Sequence, residues 1–340
     1  MLNSTSKKPG PSVPWEELEG KRIFLTGGTG FYGCNLLEAY TRAWEREGLG
    51  GQISVLTRHA GAFLARAPHL AGHPAVEVLG GDLADFEFRN SSWDVLIHAA
   101  LEAGEPLELL ERNIQGTRRV LELAHRWGAS RVLFASSGAV YGPQPANLSN
   151  IDEDYAGAPP LAGSGAYGEA KRISELLGTL HGERHGYAFL IARGFAFLGP
   201  WLPLETFSAA GNFIGDALAG RPIQVKGDGR PYRSYLHGED LADWLWTILL
   251  RGVHGRPYNV GSGEAVSIAD LARRVRDLLA PEAEMRITQA PGQGPPPRYV
   301  PSVERARLEL GLTQRLGLDE AILRTAQWNR ERLPSARRLS

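Results

Sequence analysis

Short apolar runs alternate with longer stretches of mixed polarity along much of this chain. The runs have the length and composition of buried strands, and they occupy residues 22–26, 53–57, 76–79, 95–98, 131–135 and 187–192. Between the fourth and fifth runs, Leu107, Leu110, Ile114 and Leu121 recur at helical spacing, and Gly128 stands where a helix would end. This alternation predicts an α/β fold on a parallel sheet with helices on both faces.

The composition of the sequence changes after Arg193. Glycine, proline and aromatic residues become common, and the predicted elements become shorter. Helices are predicted near residues 212–219, 239–250 and 268–279. The sequence therefore predicts a second, smaller lobe from about residue 194 onward.

Composition and charge exclude several classes of function. The formal net charge is −1 over 340 residues, so no general affinity for nucleic acid or an anionic membrane is expected. Cys34 is the only cysteine, which rules out an intrachain disulfide and fits a reducing compartment. Residues 1–20 lack the apolar run of a signal peptide, and no stretch approaches the roughly 18 apolar residues of a membrane span. We expect a cytoplasmic protein without a metal site.

A glycine-rich turn follows the first predicted strand. Its glycines are Gly27, Gly30 and Gly33, and a helical pattern begins directly after them. Glycine permits the tight turn and the close approach of a pyrophosphate, and the helix N-terminus offers free N–H groups to that anion. The strand–turn–helix context is typical of a dinucleotide site, although the same glycines could also form a purely structural turn.

These observations divide the chain into three predicted parts. Residues 1–20 form a flexible tail, residues 21–193 an NAD(P)-binding Rossmann domain, and residues 194–335 a substrate-binding lobe. The segment 233–263 is a candidate for crossing back to the first domain. The predicted fold class is thus a Rossmann-type, doubly wound parallel sheet with a smaller C-terminal α/β lobe.

The end of the second predicted strand bears on the choice of cofactor. An acidic residue there binds the ribose 2′-hydroxyl of NAD, whereas an arginine accommodates the 2′-phosphate of NADP. This chain has Arg58 and no acid at that place, so NADP is favoured and NAD remains open. After the third strand, Asp82 is placed to accept a hydrogen bond from the adenine amino group or, alternatively, to cap a helix.

Polar residues with acid–base chemistry follow the fifth predicted strand. Ser136 and Ser137 stand at its end, and Tyr167 and Lys171 lie four residues apart on a helix predicted over 166–184. Residues at that spacing share one helix face, and an ammonium beside a phenol favours the phenolate. Such a phenolate can take the proton of a sugar hydroxyl while a hydride leaves the same carbon. A solvated helix face is the alternative interpretation of the pair.

Several motifs occur in the order in which one known family carries them. They are Gly27–Gly33, His98–Ala100, Asn113–Thr117, Ser136–Gly142, Tyr167–Lys171, Arg193–Pro200, Arg233–Ala242 and Tyr258–Gly261. By these motifs the chain resembles the NAD-dependent epimerase/dehydratase family, the extended short-chain dehydrogenases that act mostly on nucleotide sugars. The resemblance covers about residues 21–330.

The resemblance implies roles for individual residues. Tyr167 would be the acid/base, Lys171 its partner and a ribose ligand, and Ser137 the anchor of the substrate hydroxyl. Asn113 would support the active-site helix and its water, and residues 99–101 would line the nicotinamide side. Together with the predictions above, the cofactor contacts are Gly27, Thr29, Gly30, Phe31, Tyr32, Gly33, Arg58, Asp82, Leu83, Ala99, Ala100, Leu101, Asn113, Ser136, Tyr167 and Lys171.

The substrate lobe matches the family in part. The predicted substrate contacts are Ser137, Gly138, Asn212, Phe213, Arg233 and Arg298. By resemblance, the last two are the family's diphosphate or ribose contacts, and arginine binds such groups in a bidentate manner. One position departs from the family, because Ala196 stands where members often have an asparagine that meets the sugar nucleotide.

The predicted activity is that of a nucleotide-sugar epimerase that oxidises a ring carbon, C4, and reduces it again. A 4,6-dehydratase, a 4-keto reductase and a non-catalytic NAD(P)-binding sensor are the alternatives. Dehydratases of the family carry Asp and Glu directly after the active-site Ser or Thr, whereas Gly138 and Ala139 follow Ser137 here. Only Glu102, Glu169 and His237 are nearby replacements, so dehydration is not expected.

A homodimer is expected as well, since family members pair two helices per subunit into a four-helix bundle. In this chain those helices would be the segments 107–127 and 167–184. Leu109 and Val120 would supply a second apolar face on the first of them.

Overall fold

The computed structural model describes residues 13–87, 92–204 and 208–332, so most of the predicted tail lies outside the described residues. The strands are β1 (Arg22–Thr26), β2 (Gln52–Thr57), β3 (Val76–Gly80), β4 (Val95–His98), β5 (Arg131–Ser137), β6 (Ala188–Gly194), β7 (Phe197–Leu198), β8 (Ile223–Val225), β9 (Tyr232–Arg233), β10 (Leu236–His237), β11 (Pro257–Val260), β12 (Val266–Ser267), β13 (Met285–Ile287) and β14 (Arg298–Tyr299).

Helices alternate with the strands in the first half of the chain and dominate the second. They are α1 (Phe31–Glu47), α2 (Ala60–Arg66), α3 (Pro68–Ala71), α4 (Pro106–Trp127), α5 (Ala166–His185), α6 (Ala209–Leu218), α7 (Gly238–Arg251), α8 (Ile268–Leu279), α9 (Glu304–Leu310) and α10 (Leu318–Arg332). Among the described residues, no helix has both the length and the apolar character needed to cross a membrane.

Seven strands form one parallel sheet in the order β11-β6-β5-β4-β1-β2-β3. The chain begins near the middle at β1, moves outward to β3, and then returns to continue outward from β4. This reversal of direction places helices on both faces and opens a crevice at the carboxyl ends of β1 and β4. The predicted doubly wound sheet is confirmed.

The helices flanking the sheet follow the predicted apolar spacing. In α1, Leu36, Leu37 and Tyr40 are buried against the sheet, and the helix ends at Gly48 in the left-handed conformation, with φ of 72°. The helix α4 ends at Gly128 in the same conformation, as its sequence predicts. Both helices therefore end at a glycine that can adopt the left-handed conformation.

The last strand of the sheet, β11, comes from the second half of the chain and pairs with β6. The preceding helix α7 packs on α1 through Trp246, whose ring stacks on Tyr40 at 5.6 Å between centroids and lies 5.4 Å from the ring of Trp15. Trp15 and Leu18 belong to a short 3₁₀ helix and are buried. Residues 238–260 thus complete the first lobe.

A second core lies beneath the substrate lobe. Its main contributors are the helices α6, α8 and α10, which pack around Phe213, Ile214, Leu271 and Ile322. The edges of this lobe are closed by short sheets of two or three strands, β10-β7, β12-β9-β14 and β13-β8. The three-stranded one brings Tyr299 towards the end of β5.

Candidate active site

The glycine turn after β1 has the geometry that its sequence predicts. Gly27 adopts φ of 73°, and a Cβ placed there would lie 2.5 Å from the carbonyl carbon of Ala99. A Cβ on Gly33 would lie 2.4 Å from the carbonyl oxygen of Gly27. No side chain caps the N-terminus of α1, so its first N–H groups can meet an anion. The turn fits the pyrophosphate of a dinucleotide.

A groove of about 1010 Å³ runs from this turn across the carboxyl ends of the strands. At one end it is lined by Arg58 and Asp82, and at the other by Tyr167 and Lys171. Of the predicted cofactor contacts, all but Gly33 line it. Its volume is at the upper end of the range for ligand pockets. The groove connects the predicted site of the adenosine ribose, at Arg58 and Asp82, to the predicted catalytic pair, Tyr167 and Lys171.

Lys171 lies at the inner end of the groove on α5, one turn after Tyr167. Its Nζ donates to the carbonyl oxygen of Ala135 at 2.8 Å and lies 4.7 Å from the ring centroid of Phe134. Burial lowers the pKa of Lys171 to about 8, and the carboxylate of Glu175 opposes that shift. The ammonium is therefore the main form near neutral pH but is held at some cost.

Tyr167 and Ser137 meet at the end of β5. Burial raises the pKa of Tyr167, and a hydrogen bond with Ser137 opposes the rise, so the lowered pKa predicted from the spacing to Lys171 is not found. Ser137 Oγ also accepts a hydrogen bond from the N–H of Ala139 at 3.1 Å, which fixes the hydroxyl. A phenol and an ammonium thus line one end of the groove, and the Ser137 hydroxyl lies beside the phenol, an arrangement suited to proton transfer at a hydroxyl-bearing carbon.

A family model described as "NAD dependent epimerase/dehydratase family" matches residues 23–261, more than half of the chain. The chain belongs to this family. The family named by resemblance in the sequence is thereby confirmed.

Relatives within the family carry different reactions in their names. UDP-glucuronic acid decarboxylase 1 of Danio rerio is 28% identical over 334 residues, covering 96% of this chain and 77% of the relative. UDP-glucose 4-epimerase of Thermotoga maritima, solved with UDP-glucose, superposes with a TM-score of 0.78 at 20% identity, covering 92% of this chain and 100% of that one. dTDP-glucose 4,6-dehydratase of Bacillus anthracis, solved with NAD, superposes with a TM-score of 0.76 at 20% identity, covering 92% of this chain and 97% of that one. The two structural matches show the fold alone.

Arg58, from which the NADP preference is predicted, is not isolated in this member of the family. Its Nη1 lies 3.1 Å from Glu102 Oε2 and 3.6 Å from Asp82 Oδ2. Asp82 also caps the following turn, because its Oδ1 accepts from the N–H of Ala84 at 3.0 Å. A 2′-phosphate would therefore compete with two carboxylates for this guanidinium.

Asn113 holds the loop after β4. Its Nδ2 donates to the carbonyl oxygens of Glu102 at 3.0 Å and Leu109 at 2.7 Å, and its Oδ1 accepts from the N–H of Glu102 at 3.2 Å. The resemblance implies support of the active-site helix and a water instead. In this structure the contacts of Asn113 position the wall of the groove.

Two aromatic residues close the substrate side of Ser137. A Cβ placed on Gly138 would lie 2.6 Å from Phe195 Cζ and 2.8 Å from Tyr299 Oη, and Tyr299 Oη lies 3.5 Å from Ser137 Oγ. Burial raises the pKa of Tyr299 as well. Reasoning from sequence missed both residues, because 162 positions separate Ser137 from Tyr299.

The two predicted phosphate-binding arginines lie on opposite faces of one small sheet. In the parallel pair β9–β14, Arg298 is opposite Tyr232 and Tyr299 is opposite Arg233. Successive side chains of a strand alternate between faces. Arg233 thus lies over the Tyr299 ring at 5.7 Å, while Arg298 lies over the Tyr232 ring at 4.6 Å and donates to Ser149. Only Arg233 shares the face of Tyr299.

The other predicted contacts of the substrate lobe lie on α6. Phe213 is buried in the second core, so only its backbone is available to a ligand, whereas Asn212 is partly exposed. Ala196 packs against the same core and places no polar group at the position where the family often has asparagine. The structure does not bring Asn212 to the groove that Lys171 lines.

A buried ion pair behind the active-site helix is a further feature that sequence reasoning missed. Glu175 accepts three hydrogen bonds from Arg193, the shortest at 2.6 Å, and a fourth from Ser136 Oγ. The signal that could have found it is the spacing of Tyr167, Lys171 and Glu175, each four residues apart on α5. The pair ties β6 and the end of β5 to that helix.

The candidate groups for a second proton transfer have other partners. Glu102 pairs with Arg58, and Glu169 lies 3.9 Å from Arg172. His237 is buried and caps α7, accepting from the N–H of Glu239. Among the described residues, no three His, Cys, Asp or Glu side chains are grouped to hold a metal ion.

The single cysteine contacts the glycine turn but is poorly suited to proton exchange. Cys34 is buried in α1, and its Sγ lies 3.8 Å from the carbonyl oxygen of Gly28. Burial raises the pKa of this thiol to about 12. The thiol therefore stays protonated at neutral pH, as a structural cysteine does.

Proposed function

We propose that this protein is a nucleotide-sugar epimerase that oxidises the substrate at C4 and reduces it again in the same site. The observation that carries the proposal is that Tyr167 and Lys171 line the inner end of a groove that fits a dinucleotide, with the Ser137 hydroxyl bonded to Tyr167 beside it. Membership of the family supports a nucleotide-linked sugar as substrate. Arg233, on the same face as Tyr299, is the proposed contact for its diphosphate.

Each residue of the site has one task in this reaction. Tyr167 takes the proton of the C4 hydroxyl as a phenolate and returns it at the end of the cycle. Ser137 donates to the same oxygen and keeps it aligned, while the Lys171 ammonium stabilises the phenolate. A bound nicotinamide supplies the acceptor and donor of the hydride. No additional acid or base is needed.

Decarboxylation of a nucleotide-linked hexuronic acid is a second candidate, favoured by the similarity to a UDP-glucuronic acid decarboxylase. The first step is the same oxidation at C4, which makes a β-keto acid. The bond between C5 and the carboxylate then breaks, carbon dioxide leaves, and the electron pair forms an enolate that takes a proton from water at C5. The hydride returns to C4 afterwards. These reaction steps need no acid or base at residues 138 and 139.

Dehydration at C5 and C6 is not expected to be efficient. It requires a base for the C5 proton and an acid for the C6 hydroxyl besides Tyr167, and Gly138 and Ala139 can supply neither. Incubation with UDP-, dTDP-, GDP- and CDP-hexoses, read by mass spectrometry, should therefore show no rapid product lighter by one water. Fast formation of a 4-keto-6-deoxy sugar would contradict the prediction.

The same incubation, extended to nucleotide-linked hexuronic acids, tests the proposed function. Epimerisation gives a product of unchanged mass that NMR resolves as a second sugar, whereas a hexuronic acid that loses carbon dioxide identifies the decarboxylase. Ser137→Ala removes the hydroxyl that aligns the substrate and should slow whichever reaction is found. If none of the nucleotide sugars reacts with either cofactor present, the proposal is wrong.

We propose a nicotinamide dinucleotide as the cofactor, and the preference for NADP stays a prediction. Titration of cofactor-free protein tests it directly. Arg58→Ala should weaken binding of NADP more than that of NAD, by about tenfold, because only NADP carries a 2′-phosphate for this guanidinium to bind. An unchanged affinity ratio in the variant would remove Arg58 from the argument.

We also propose a homodimer through α4 and α5. Val120 is buried inside the subunit, so the exposed apolar residues of the two helices are instead Leu107 on α4 and Ile173, Leu176 and Leu180 on α5, of which Leu176 is 61% exposed. Light scattering at micromolar concentration should give twice the mass of one chain. Leu176→Glu should yield monomers, whereas Leu308→Glu, at an exposed leucine of α9, should not. A monomeric wild type would refute the dimer.

A further inference from the structure

Arg58 and Glu102 face each other across the mouth of the cofactor groove. Arg58 follows β2 and Glu102 lies in the loop after β4, and β1 lies between those two strands in the sheet. Their ion pair of 3.1 Å therefore spans the carboxyl end of β1, where the glycine turn forms the floor of the groove. A dinucleotide lying on that turn would pass beneath the pair.

The position of Glu102 is fixed by its own backbone. Both its N–H and its carbonyl oxygen bond to the Asn113 side chain, at 3.2 and 3.0 Å. The side chains of Arg58 and Glu102 keep 50% and 29% of their exposure, so the pair lies on the solvent side of the groove rather than within its floor. Glu102 is thus a carboxylate held in place at the entrance.

The charges around Arg58 do not favour an additional anion. Asp82 lies 3.6 Å from the guanidinium on the other side, so two carboxylates surround one cation. A neutral ribose 2′-hydroxyl fits this arrangement, whereas a 2′-phosphate must displace a carboxylate from Arg58 and lie close to it. The choice between NAD and NADP therefore depends on the carboxylates as well as on Arg58.

We propose that Glu102 is a specificity-determining residue for the cofactor, because it competes with a 2′-phosphate for Arg58 and closes with Arg58 over the bound dinucleotide. This inference rests on the proposed cofactor site. Glu102 affects cofactor binding through Arg58, so removal of its charge should change the affinities for NAD and NADP in opposite directions. A purely structural role of Glu102 would change both affinities in the same direction.

The test is titration of the cofactor-free Glu102→Gln variant with NAD and with NADP, with binding measured by tryptophan fluorescence or calorimetry. We expect NAD to bind about two- to fivefold more weakly, since a half-exposed ion pair no longer closes the groove. We expect NADP to bind more tightly by a similar factor, since Arg58 is released. The ratio of the two dissociation constants is the quantity to compare.

Two further variants complete the experiment. Glu105→Gln removes the same charge three residues along, outside the lining of the groove, and should leave the ratio unchanged. Adding Arg58→Ala to Glu102→Gln should abolish the gain for NADP. Equal shifts for both cofactors in Glu102→Gln, or no shift, would overturn the inference while the cofactor site stands. Failure of the wild type to bind either cofactor would overturn the proposed function as well.

Discussion

Tyr167→Phe is expected to fold normally, to bind the cofactor and to lose nearly all turnover. The substitution removes one hydroxyl at the inner end of the groove and leaves the ring in place. Tyr167 is the proposed proton acceptor, and a general acid–base group contributes about 10²–10⁴-fold to the rate. Turnover of the nucleotide sugar identified by the substrate screen is the measurement, with cofactor titration as the check on folding.

Tyr155→Phe is the matched control for this prediction. Tyr155 is a partly buried tyrosine whose ring lies 6.3 Å from that of Tyr141, and it does not line the cofactor groove. Its variant should keep wild-type turnover. Near-normal turnover in Tyr167→Phe would show that another residue moves the proton, and Tyr299 would be the first to examine because its hydroxyl is 3.5 Å from Ser137.

Glu175→Ala should lower the free energy of unfolding by about 3–5 kcal/mol, the usual cost of leaving one partner of a buried ion pair alone. Arg193 keeps only 14% of its side-chain exposure and would retain an uncompensated charge, and Ser136 would lose its acceptor. Urea unfolding measures the change. Because such a loss can prevent folding altogether, Glu175→Gln provides a milder variant that keeps an acceptor for Ser136.

Two comparisons make the Glu175 prediction specific. Glu169→Ala breaks a surface pair with Arg172 on the same helix and should change stability by less than about 1 kcal/mol. Replacing both members of the buried pair, as in Glu175→Leu with Arg193→Met, should recover part of the loss, since no charge is then left unpaired. A cost for Glu175→Ala as small as that of Glu169→Ala would contradict the argument.

Elements that depend on local sequence were predicted closely. The strand predicted over 131–135 extends to Ser137, and the helix predicted to end near Arg184 ends at His185. Tyr167 and Lys171 share a helix face because four residues separate them, and this needs no knowledge of the rest of the chain. Periodicity, glycine turns and helix ends are all properties of a short window.

Features made by distant segments could not be predicted in this way. The two-residue strands β9 and β14 depend on pairing between distant segments, so their register was unknown when Arg233 and Arg298 were both predicted to contact the substrate. Val120 was expected on an outer face but lies in the core. The pairing of Arg58 with Glu102 likewise joins residues 44 positions apart.

The return of residues 238–260 to the first lobe has a consequence for dissecting the protein. A fragment ending at Gly194 would lack β11, so β6 would become an unprotected sheet edge. It would also lack Trp246, which is fully buried and donates through Nε1 to the carbonyl oxygen of Leu36. The face of α1 that α7 covers would then be exposed to water. The cofactor-binding unit is continuous in space but discontinuous in sequence, and no single cut of the chain releases it intact.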